Sequence, residues 1–140
     1  MAYSVYGDVQ SEFKSTTFGA STKITSTEVT EFISQADAMI DGIVSGKYVT
    51  PVTGSESLKI VKMISINLVA GRIWNILERE GTDAKNKGHD LIEFAKAMLK
   101  KITEGKLELS DATSIASTTF ESYNKTNAIV GLIDKDTDQW

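Results

Sequence analysis

Apolar residues recur along this chain with a helical rhythm in its first three quarters and lose that rhythm afterwards. The clearest stretch follows Thr25. Val29, Phe32, Ile33, Ala36, Ile40, Ile43 and Val44 fall at the i, i+3, i+4, i+7 positions of one buried stripe. Thr25 and Glu28 precede it with the T-x-x-E spacing of a capping box, which fixes the helix start. Asp37 and Asp41 are assigned to another side. Gly46 is the expected C′ residue, closing the last turn in a left-handed conformation. Thr50, before Pro51, is biased toward an extended backbone. The segment "GKYVTP" is therefore a hook, from which Tyr48 and Val49 leave at a fixed angle. Packing of Tyr48 on the core is the plain reading, and a contact surface between subunits is the functional one.

Three further helices bracket this one. A short one is predicted over residues 5–14, capped by Ser4, with Val5, Val9 and Phe13 on one side. The Ser/Thr/Gly-rich "STTFGASTKITS" reads as a loop. A long helix is predicted over 57–80. Its apolar residues, from Leu58 through Ile64, Leu68 and Ile73 to Leu77, cover more than one face, as in a central helix touched from several sides. Gly71 costs a helix interior about 1 kcal/mol against Ala, and close approach of a neighbouring backbone would account for it. Asn67 and Arg72 need partners if buried. The fourth helix is predicted over 88–104 with a stripe of Leu91, Ile92, Ala95, Met98, Leu99 and Ile102. Lys100 and Lys101 lie near its negative end, and Gly105 closes it.

The remaining residues are Ser/Thr-rich, then β-prone, then acidic. "TTFESY" and "AIVGLI" are predicted short strands with "NKTN" as the turn between them. A lone two-stranded ribbon is marginal in water, so the pair needs a surface, either its own helices or another chain. The expected fold is mainly α: a compact bundle of about four helices over residues 1–109, followed by an extended, partly β C-terminal arm over 110–140.

Composition narrows the function classes. A chain of 140 residues is one domain with a single core, and 41% hydrophobic residues is ordinary for a soluble protein. No run of about 18 apolar residues marks a membrane span, and the start lacks the basic-then-apolar pattern of a secretory signal. The absence of Cys excludes disulfides and thiolate metal sites. The net charge is −4, with −3 of it in residues 110–140 and −1 in residues 1–109. A protein that grips nucleic acid needs clustered positive charge to neutralise phosphates, so any contact with DNA should be loose.

Motifs for catalysis are missing. His89, the sole histidine, reads as an exposed residue at a helix start beside Asp90. "DKDTDQ" has the opening spacing of a calcium loop, but it lacks the glycine at the sixth position and the distal Glu, so it reads as a solvated acidic tail. "GASTK" lacks the rest of a phosphate-binding loop. The expectation is no enzyme, no cofactor and no metal. Trp140, following three acids, is a candidate anchor in an assembly, because Trp is enriched at binding hot spots.

The order "YSVYGDVQSEF", "ADAMIDGIVSGKYVTPV", "LKIVKMISINLVAGRIWNI" and "DLIEFAKAMLKKITEGKLEL" resembles the small helical head–tail connector proteins of tailed bacteriophages, the adaptor or head-completion proteins of the Mu-like head–tail joining group. The matching positions are Ala38, Ile40, Asp41, Gly46, Tyr48 and Pro51, then Leu58, Ala70 and Arg72, then Leu99, Ile102 and Gly105, within residues 3–109. The resemblance implies a homo-oligomeric ring, usually of twelve subunits, in the virion neck after assembly in the host cytoplasm. Such a ring docks beneath the portal protein, receives the stopper or tail-completion protein, and lines a channel through which DNA passes without tight binding. It also implies that the C-terminal segment grips the portal or a neighbour, burying Phe120, Tyr123, Ile129, Val130, Leu132, Ile133 and Trp140 on assembly, with Gly46, Tyr48 and Pro51 as the structural hook. The alternative from another class is a small helical DNA-binding regulator, with Lys96, Lys100 and Lys101 of the fourth helix as its contacts.

Overall fold

The computed structural model describes residues 2–14, 16–78 and 87–115, and in them a helical bundle: α1 (Tyr6–Ser11), α2 (Ser26–Val44), α3 (Ser55–Glu78) and α4 (Lys87–Thr103). The mainly α architecture expected from the sequence is present. The strands expected in "TTFESY" and "AIVGLI" lie outside the described residues.

Helix α3 is the centre, and α1, α2 and α4 all pack against it. Val61, Ile64, Leu68, Val69, Ala70 and Ile73 are buried along it, whereas Met63 stays 38% exposed. By length and mean hydropathy (1.4), Ser55–Leu77 would suffice to cross a bilayer, contrary to the expectation from the sequence. Three helices packed around it give the physical reason for that apolarity in a core helix.

The reason for Gly71 is also visible. A Cβ there would lie 2.6 Å from Ile92 Cγ1 and 2.8 Å from the Gly88 carbonyl oxygen, and a Cβ on Gly88 would lie 2.5 Å from the Gly71 carbonyl oxygen. The two glycines let the backbones of α3 and α4 touch. Arg72 is exposed. It stacks 4.1 Å over the Phe32 ring and donates to the Gln35 side-chain oxygen, so the condition of burial does not arise for it.

Helix α2 starts as predicted. Thr25 N donates to Glu28 Oε2 at 2.7 Å and Glu28 N to Thr25 Oγ1 at 3.2 Å. Val29, Ile33, Ala36, Ile40 and Val44 are buried on its inner face, with Phe32 and Ile43 partly so. Helix α4 closes on Gly105 at φ +77°, with Lys106 N donating to Lys101 O and Gly105 N to Ile102 O. These are the paired bonds of a Schellman ending.

Two local expectations, for Ser4 and Gly46, are corrected, while the expected loop is present. Ser4 does not cap α1. Val5 stands at the cap, its N–H satisfied by Asp8 Oδ2 at 2.9 Å, and Val5 itself is 59% exposed. The loop 16–25 is pinned to the core by Phe18 and Ile24, with Phe13 packed edge-on against Phe18 and tilted against Trp74. Gly46 is not left-handed; Gly54 and Gly105 alone have positive φ among the glycines described. Helix α2 instead runs out through an ordinary turn, with Lys47 N and Tyr48 N both donating to Val44 O. Since a Cβ at Gly46 would meet nothing within 4 Å, Gly46→Ala should leave the folding free energy read from urea unfolding unchanged or raise it by up to about 0.5 kcal/mol.

Candidate assembly surface

The hook is held from two sides. On one side, Tyr3 bonds through both its backbone and its ring. Its N–H donates to Asp37 Oδ2 at 2.9 Å, its hydroxyl donates to Asp41, and the same hydroxyl accepts from Val52 N at 2.8 Å, just past Pro51. Ser65 Oγ donates to Asp37 Oδ1 at 2.7 Å and lies 2.8 Å from Ser4 Oγ. A buried polar network thus ties the N-terminal segment, α2, α3 and the exit of the hook together. Burial pushes the Asp37 carboxyl above the ordinary carboxylate range, and the bonds from Ser65 and Tyr3 pull it back. Burial, reinforced by Asp41, pushes the Tyr3 hydroxyl up to about 12.

The sequence reading assigns Asp37 to a side away from the stripe; the structure corrects this. Asp37 is 6% exposed and lies within the stripe. Its spacing of four after Ile33 and three before Ile40 is the signal for that position. A buried Asp needs bonding partners, and these come from residues 34 and 28 positions away, which no local pattern announces.

On the other side, the chain after α4 returns to clasp the hook. The Tyr48 ring is buried and its hydroxyl accepts from Leu109 N at 3.2 Å. Tyr48 and Ser114 form an antiparallel bridge, flanked by Val49 N to Thr113 O at 2.8 Å and Ile115 N to Lys47 O at 2.9 Å. Just before the bridge, Asp111 caps α3. Its carboxylate accepts from Glu56 N and Ser57 N, each at 2.9 Å, and from the Ser57 hydroxyl. These bonds, the Ser57 hydroxyl foremost, hold the Asp111 carboxyl below its usual value. Gly54 makes room for the cap: it has φ +102°, and a Cβ there would lie 2.6 Å from the Asp111 carbonyl oxygen.

Of the hook residues named from the sequence, Tyr48 is the anchor. Pro51 is exposed after a cis Thr50–Pro51 peptide, and Gly46 is exposed without a conformational role. Val49 and Ile115 remain 47% and 39% exposed beside the bridge, so the clasp carries an apolar rim where the arm departs. Phe120, Tyr123, Ile129, Val130, Leu132, Ile133 and Trp140 lie outside the described residues.

A groove of about 480 Å³ opens beside the polar network, lined by Ser4, Tyr6, Ile33, Asp37 and Asp41 among others. Both carboxylates on it already accept bonds from Tyr3. Among the described residues, no three His, Cys, Asp or Glu side chains gather as a metal cluster. His89 is exposed in the first turn of α4.

Comparison with known proteins adds one finding. The family described as Bacteriophage Mu, Gp36 matches residues 6–126. No curated protein and no solved structure matches significantly. The matched span takes in all four helices, the hook and the clasp. It extends beyond the residues 3–109 that carried the sequence resemblance, reaching Phe120 and Tyr123. A match over most of its length shows that the chain belongs to the bacteriophage Mu Gp36 family.

Proposed function

We propose that this phage protein is a structural component of the virion, the head-to-tail adaptor. Copies of it form a ring, of twelve in the fullest form of the proposal, between the portal and the stopper or tail-completion protein, and the ring lines the DNA exit channel of the neck. Family membership supports the phage and virion-related part of this reading. The observation that carries the adaptor part is the clasp. A rigid helical body holds the root of the C-terminal segment at a defined place and direction, as a subunit must if that segment is to reach a fixed partner in every copy. Rings need head-to-tail contacts between unlike surfaces, and the clasp rim and the exposed face of α4 offer apolar residues for them: Val49, Ile115 and Phe94.

The charge pattern supports passage of DNA rather than capture. The chain has 15 basic and 19 acidic residues. On α4, Lys96 lies 3.9 Å from Glu93 and Lys100 3.8 Å from Glu104, so the face that a DNA-binding regulator would use carries both signs. Each phosphate contact adds affinity, and a channel lining functions by avoiding that. The role is structural rather than catalytic, without cofactor or membrane.

Inactivating the gene by a nonsense codon tests this reading. The expected result is filled heads and finished tails that do not join. Normal tailed particles would contradict it. Tight, salt-sensitive duplex binding by the purified chain in a low-salt titration would favour the regulator instead.

A further inference from the structure

A second groove, of about 360 Å³, runs between α2, α3 and α4, and its lining is mostly apolar: Phe32, Met39, Leu68 and Ile92 among others, with Arg72 and Lys96 as the charged members. We propose that this groove is the docking site of the chain's own residues 120–133, which cover it in the free subunit.

Direction, reach and charge carry the proposal. The chain at 113–115 runs antiparallel to 47–49, so at Ile115, bonded to Lys47 O, it heads back toward α2. The ends of α2 and α4 adjoin there, since the Lys47 ammonium lies 2.9 Å from where a Gly105 Cβ would be. The seam between those two helices leads from this point to the groove. Met39, at its near end, is eight residues before Lys47, about 12 Å of helix. Ile115 and Phe120 are five residues apart, a reach of up to about 17 Å. The tether is therefore long enough to bring Phe120, the first of the apolar residues Phe120, Tyr123, Ile129, Val130, Leu132 and Ile133, to the near end of the groove. Both charged lining residues are cationic, though Lys96 keeps a long contact to Glu93; residues 120–133 hold Glu121 and Lys125, and the acids Asp134, Asp136 and Asp138 follow directly. Glu121 follows Phe120 directly. The occupied groove hides the arm's apolar residues until a partner takes them; that release, unlike the docking, rests on the adaptor reading.

The absence of Cys permits a direct test in the full chain. Met39→Cys is combined with Tyr123→Cys, and the control combines Met63→Cys with Tyr123→Cys. Met39 and Met63 are both exposed, at 39% and 38%, and each lies eight residues from the helix end nearest the clasp or closer, but Met63 is on another groove. The intramolecular disulfide should form at least about tenfold faster in the Met39→Cys pair than in the control, because docking raises the local concentration of the partner thiol. Adding Phe120→Asp should bring that rate down to the control. Equal rates for the two pairs, or a disulfide formed only between copies, would overturn the proposal. Either failure would leave the protein's place in the virion untouched, so the two readings are tested separately.

Discussion

Tyr48→Ala should cost about 3–5 kcal/mol of folding stability, the range for deleting a large buried aromatic. The ring is 4% exposed, so its removal leaves a cavity. Its hydroxyl also accepts the Leu109 N–H, and losing it leaves that buried donor without its partner. Tyr48→Phe keeps the packing and drops only the bond, for about 1 kcal/mol. The contrast is the informative part. In Tyr48→Ala, amide exchange at Val49 and Ile115 should accelerate along with the loss of the urea midpoint, because their bonds to Thr113 O and Lys47 O depend on the ring holding 109–114 in place. If the midpoint fell while those two amides stayed protected, the clasp would not depend on Tyr48.

Gly71→Val should be nearly as damaging, at about 3 kcal/mol, the upper end of ordinary overpacking. Helix propensity alone argues the other way: any side chain but Pro is favoured over Gly inside a helix, Ala by about 1 kcal/mol. Packing decides the sign. A Cβ at this position lies 2.8 Å from a backbone oxygen of α4, which can move only if the helix moves. Even Gly71→Ala should therefore destabilise, despite its gain in propensity. Denaturant midpoints of the two variants check this; an unchanged or raised midpoint for Gly71→Ala would mean that α3 and α4 separate at little cost.

These two residues also show what is legible in the sequence. Gly71 stands out because a glycine inside an apolar helix needs a reason, and the reason is a neighbouring backbone. The Thr25–Glu28 box and the Gly105 closure are legible for the same cause: cap chemistry is local, and its residues lie within a few positions of one another. Tyr48 packs on the core, as its plain reading has it. Gly46 misleads because glycine after an apolar stripe has two explanations, and here the turn closes through Lys47 and Tyr48 with no left-handed residue. Asp37 and Asp111 are invisible as partners. Asp37 meets Tyr3 and Ser65, and Asp111 caps a helix that begins more than fifty residues earlier. Neither pairing leaves a periodic trace. The clasp is built from such long-range bonds, and so the hook is legible from the sequence whereas what holds it is not.

The hook thus acquires a function inside the subunit before it has one between subunits. Tyr3 and Asp41 fix its exit, Leu109 and residues 113–115 fix its start, and the C-terminal segment leaves from the same joint. Several positions of the sequence resemblance build this joint: Asp41 bonds Tyr3, Ile40 is buried in the core and Tyr48 receives Leu109.

Cross-linking with mass spectrometry on intact purified phage particles tests the adaptor account most directly. The account predicts links from lysines of this protein to the portal, to a tail-completion protein and to further copies of itself, with Lys125 and Lys135 of the arm among those reaching the portal or a neighbouring copy. Particles that are complete and infectious yet contain none of this chain, or that link it only to the capsid shell, would contradict it.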